Sequence, residues 1–181
     1  MIKSSTKKFV LSAFFLALGL VLPFLTMQIP SLGSRLLPMH IPVLLCGFIC
    51  GWPSGLVVGL IVPVFRSMLF GMPPMFPTAV AMTFELAMYG CISGVLYELF
   101  PKKNSFIIIS LGLAMICGRI VWGIVSLFLY GLSGSEFTWQ VFVVGAFLNA
   151  IPGIVIQFII IPIIVIALAK TKLVGNVPDE Y

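Results

Sequence analysis

Apolar runs punctuated by Gly, Pro, Ser and Lys dominate the chain from end to end. A membrane-crossing helix needs about 20 apolar residues, and six segments follow that pattern, at about 9–29, 39–51, 54–70, 77–99, 105–130 and 139–169. Turn-forming stretches separate them: IPSLGSRLLP, Trp52-Pro53-Ser54-Gly55, GMPPMFP, Pro101-Lys102-Lys103-Asn104 and GLSGSEF. Pro77 is suited to open its helix, because the first turn does not need the missing N–H. The last segment is over-long for one span, and Pro152 and Pro162 mark a kink or tilt in it. The basic lead Lys3, Lys7 and Lys8 before the first apolar run resembles a secretory signal. With no A-x-A-like cleavage site behind it, the run reads as a retained first span.

The segment 39–51 is short for a span and could fuse with 54–70 into one kinked helix. The lysines decide between the two arrangements. Lys and Arg favour the cytoplasmic side of short loops, and with six spans Lys3, Lys7, Lys8, Lys102, Lys103, Lys170 and Lys172 all fall on that side, leaving Arg35 as the outer loop cation. Fusion would move Lys102, Lys103, Lys170 and Lys172 to the outer face. The expectation is therefore an all-α integral membrane protein, a compact bundle of six transmembrane helices forming one domain over 1–181, with both termini cytoplasmic.

Composition narrows the function. Of the 181 residues 61% are apolar and 8% charged, against roughly a quarter charged in a soluble domain. Soluble enzyme folds are excluded, and the mean hydropathy of +1.23 agrees. The net charge of +5 comes from residues at the edges of apolar runs, a topology signal rather than the basic stripe of a nucleic-acid binder. Cys46, Cys50, Cys91 and Cys117 lie inside apolar segments without CxxC or zinc spacing, so they read as small buried residues and not as a metal or disulfide set.

Ionisable side chains inside spans are costly and mark function by default. Here they are Arg66, Glu85 and Arg119, with His40 at the outer end of the second span. Their depths, together with that of Asn149, converge on the outer half of the bundle, as a pocket for a small polar molecule requires, with Phe65, Trp122 and Phe147 available as walls. Each also has a plainer reading. Arg66 either snorkels to the interface or grips a carboxylate or phosphate. Glu85 and Arg119 either pair with each other or contact substrate. His40 caps or packs a loop, Asn149 bonds a neighbouring helix, and Gln157 belongs to helix packing.

Small residues recur at helical spacing: Gly47, Gly51, Gly55 and Gly59; Gly90 and Gly94; Ala13 and Ala17; Ala146 and Ala150. Such stripes let backbones approach closely. The glycines suit packing inside the bundle, whereas Ala13 and Ala17 suit an external docking face on the first helix. No HExxH, GxSxG or P-loop pattern is present. Catalytic residues, metal ligands and cofactors are not expected, and ATP hydrolysis would have to come from partners.

The basic lead into A-F-F-L-A at 13–17, the first loop, and the run LPMHIPVLLCGFICGWPSGLVVGLIVPVFRSMLFGMPP resemble the substrate-binding S component of an energy-coupling factor (ECF) transporter over nearly the whole chain. That resemblance implies the binding subunit of an ECF-type ABC importer in the bacterial cytoplasmic membrane, capturing a vitamin or related micronutrient from outside. It implies a membrane coupling subunit and two cytosolic ATPases as partners, toppling in the membrane to release cargo, docking through Ala13 and Ala17, and closure by loops at about 30–39 and 71–77. The two arginines and the histidine suggest an anionic ligand. Pantothenate is the first choice, with hydroxymethylpyrimidine, folate, riboflavin or a queuosine precursor as alternatives. The competing class is a stand-alone secondary carrier or channel using Glu85 and Arg119 as a relay.

Overall fold

The computed structural model describes residues 5–26, 36–101, 103–134 and 138–170. Lys3, Arg35, Lys102, Lys172 and most of the expected closing loop at 30–39 lie outside the described residues, as do the side chains of Phe147 and Lys170. The described residues form helices: α1 Ser5–Thr26, α2 His40–Cys50, α3 Trp52–Phe70, α4 Val80–Leu99, α5 Asn104–Leu132, α6 Trp139–Val143 and α7 Ile151–Lys170. Since α6 and α7 belong to one apolar stretch, the architecture is a six-helix one, and five of the six are long and apolar enough to cross a membrane. The exception is α2, whose 11 residues extend about 16 Å, far short of the roughly 30 Å hydrocarbon core.

A single residue, Gly51, joins α2 to α3. Its φ of 96° lies where only glycine is comfortable, so the two helices turn sharply and pack together. Pro53 falls in the first turn of α3, where a proline costs no hydrogen bond. The glycine stripe then sets the helix spacing. A Cβ on Gly90 of α4 would collide with the backbone of Gly55 on α3, one on Gly59 with the backbone at Leu86, and one on Gly94 with Trp52. Backbones at that range gain dispersion contacts that larger side chains would prevent, and α4 becomes the hub against which α2, α3 and α5 pack. The core of Val43, Leu44, Phe48, Leu86, Tyr89 and Leu111 is built around it.

Two helix entries are irregular. A wide turn over Met75–Ala79, containing Pro77, is closed by the Ala79 N–H donating to the Pro74 carbonyl (2.9 Å) before α4 begins. A second wide turn over Val144–Leu148 separates α6 from α7 and is closed by the Asn149 N–H on the Val144 carbonyl (2.9 Å). The interruption falls just ahead of Pro152, whose ring cannot follow a preceding continuous helical turn but fits the start of a new one. Pro162 lies within α7.

Candidate functional site

Glu85 is at the start of α4, one and a half turns past the wide entry, and is 1% exposed. Its Oε1 lies 2.9 Å from Arg119 Nη1 on α5 and 3.6 Å from His40 Nε2 at the first position of α2. The arginine contact is a close ion pair rather than an aligned hydrogen bond, and the histidine contact is too long to be one. Tyr89, one turn beyond Glu85 and so on the same helix face, packs its ring 5.4 Å from that of His40. Gly118, beside Arg119, has no side chain to keep the Tyr89 ring away from α5.

His40 takes part because it opens the 11-residue helix α2, which packs against α4 and sets the imidazole 3.6 Å from Glu85; it is 1% exposed. The turn before it is held from α7: the Leu37 carbonyl accepts from the His40 N–H (3.1 Å) and from Gln157 Nε2 (3.5 Å). Leu37 itself adopts φ 48°, a left-handed turn that folds the entry over. Four helices thus contribute to one buried polar centre.

Several polar nitrogens in that centre have no hydrogen-bond partner among the described residues: Arg119 Nε and Nη2, which are donors, and both ring nitrogens of His40. Buried polar groups are ordinarily satisfied, and unsatisfied ones call for an explanation such as a ligand. Ser126, two turns along the same face of α5 from Arg119, also has a buried hydroxyl without a partner among the described residues.

The other expected site residues are arranged differently. Arg66 is buried against α1, where its Nη1 donates to the Leu20 carbonyl (2.7 Å) and its guanidinium lies over the rings of Phe24 (4.9 Å) and Phe70 (5.7 Å). Pro23 lies within α1 close to this contact. Arg66 is 2% exposed. Trp122 stacks on Phe142 (6.1 Å, 24°) and covers Gly145, at the junction of α5 with α6. Next to it is an apolar groove of about 440 Å³ lined by Ile120, Gly123, Leu127, Trp139 and Phe142 among others. Asn149 is exposed between the second wide turn and α7, and Phe65 is exposed on α3. Ala13 and Ala17 are exposed on α1, flanked by exposed Phe9, Val10, Phe14 and Val21, while Phe15 and Gly19 face the bundle. The four cysteines are free thiols, with Cys46 and Cys50 buried.

Two residues of the centre escaped the sequence reading. Tyr89 carried a usable signal, being one helical turn from Glu85 and so on the same face. Gln157 was visible as a polar residue in an apolar run, but its link to Leu37 spans 120 positions and is not encoded locally.

The family of substrate-specific components of ECF transporters matches this chain over residues 7–165. The chain belongs to that family. As an S component it is a substrate-binding subunit of a multi-pass membrane transporter and not an enzyme. Comparison with curated proteins and with solved structures returns no match. The matched span takes in all three members of the buried centre, His40, Glu85 and Arg119, and both alanines of the exposed α1 stripe.

Proposed function

We propose that this S component captures a vitamin or related small micronutrient at the His40–Glu85–Arg119 centre and hands it to an ECF module for ATP-driven uptake. The observation that carries the reading is the set of buried nitrogens on Arg119 and His40 without hydrogen-bond partners among the described residues. A transporter subunit whose family binds substrate has a use for such groups that a purely structural ion pair does not. The substrate enters from the outside, with both termini and the lysine-rich loops in the cytoplasm of a bacterial cell, in keeping with the distribution of lysines. The centre supplies the polar groups of the proposed binding site. Trp122 and the α5–α6 junction stand to one side of it, and Arg66 secures α1 to α3.

The exposed stripe around Ala13 and Ala17 supports docking of α1 on a membrane coupling subunit, which in turn carries two cytosolic ATPases. Small residues on an apolar, unburied helix face are the usual means of close helix–helix approach in lipid.

The test is identification by mass spectrometry of a small molecule that co-purifies with the protein, followed by calorimetry with a panel of vitamins including pantothenate, riboflavin and hydroxymethylpyrimidine. Binding by the folded protein, with uptake into liposomes only when the coupling module and ATP are present, is the expected result. Uptake by the chain alone would replace this reading with a self-sufficient carrier.

A further inference from the structure

We infer that the ligand reaches this centre with a carboxylate, held side-on by the Nε–Nη2 edge of Arg119; the inference rests on the capture reading above and specifies its substrate class. A guanidinium has two faces useful for recognition. In Arg119 the Nη1 corner is taken by Glu85 at 2.9 Å. The atoms left without partners among the described residues, Nε and Nη2, are the two that point the same way along the opposite edge. Two parallel N–H donors at that spacing match the two oxygens of a carboxylate in the bidentate arrangement that arginine makes and lysine does not.

Burial sharpens the selectivity. Arg119 is 6% exposed and His40 1% exposed, so water does not substitute freely for an acceptor. Glu85, 2.9 Å from Nη1, fixes the position of the guanidinium. The free edge is therefore set before a ligand arrives, which limits the ordering cost of binding. His40 supplies the second donor. Its imidazole faces Glu85 and Tyr89 from α4.

The experiment uses the full-length protein in lipid nanodiscs and paired probes: nicotinate and nicotinamide, biotin and biotin amide, pantothenate and panthenol, lipoate and lipoamide. Riboflavin, thiamine and hydroxymethylpyrimidine serve as probes without a carboxylate. One acid is expected to bind about 10- to 100-fold more tightly than its uncharged pair. Arg119→Lys keeps a cation beside Glu85 but removes the planar edge, and is expected to forfeit most of that preference while thermal unfolding shows a folded protein. The double variant Arg119→Gln/Glu85→Gln, neutral and similar in size, is expected to abolish the preference as well. Equal binding of acid and amide, or an acid preference that survives Arg119→Lys, overturns the assignment. Binding of a probe lacking a carboxylate while every acid fails overturns the carboxylate but leaves capture standing. Failure of every probe on folded protein overturns both.

Discussion

Arg119 Nη1 lies 2.9 Å from Glu85 Oε1, and both side chains are almost completely buried. A charge inside an apolar bundle is tolerated only when it is paired, so each residue depends on the other. Glu85→Ala removes one partner and leaves a buried guanidinium, at an expected cost of about 3–5 kcal/mol. The Gln/Gln double variant is expected to cost less than the sum of the single changes, because no orphan charge remains. Thermal unfolding of Glu85→Gln, Arg119→Gln and the Gln/Gln double variant in one detergent measures the difference. Strict additivity would show that the pair is not coupled.

Arg66 makes a different prediction. Its bond to the Leu20 carbonyl and its seat over Phe24 and Phe70 tie α3 to α1. Arg66→Ala is expected to lower stability by about 1.5–3 kcal/mol for the lost charge-assisted bond. Ligand affinity is expected to change much less than in Arg119→Lys. A large loss of affinity at unchanged stability would return Arg66 to the binding site.

The glycine seam between α3 and α4 gives a sharp contrast between two positions. A side chain on Gly90 meets the backbone of Gly55, which cannot yield as a flexible side chain can. Gly90→Val is expected to separate the helices and prevent accumulation of monodisperse protein. At Gly131, near the end of α5, a Cβ meets nothing within 4 Å, and Gly131→Ala is expected to be neutral or to stabilise by up to about 1 kcal/mol through the helix propensity of alanine. Size-exclusion profiles and unfolding temperatures of the two variants decide the point.

Docking is separable from binding if α1 presents Ala13 and Ala17 outward. Ala13→Trp and Ala17→Trp are expected to abolish co-purification with the coupling subunit and to leave calorimetric binding of the vitamin unchanged. Simultaneous loss of both would mean that these alanines pack inside the bundle in the assembled protein.

Much of this protein was legible in its residues. The length and hydropathy of the apolar runs required membrane helices, because a backbone in hydrocarbon must satisfy its own hydrogen bonds. The cost of charge in lipid singled out Arg66, Glu85 and Arg119 and made a Glu85–Arg119 pair one of the expected outcomes, and the four-residue glycine spacing marked a close helix seam. These are local properties, fixed by periodicity and by the energy of transfer from water. Tertiary structure decided who meets whom. Whether an arginine faces a carboxylate on one neighbour or a carbonyl on another depends on the rotation and spacing of whole helices, which is why Arg119 joins Glu85 while Arg66, equally conspicuous in the sequence, turns to Leu20. The same holds for His40: its place at the start of α2 is local, but its seat 3.6 Å from Glu85 follows from how α2 packs against α4, a consequence of packing that no run of residues states by itself.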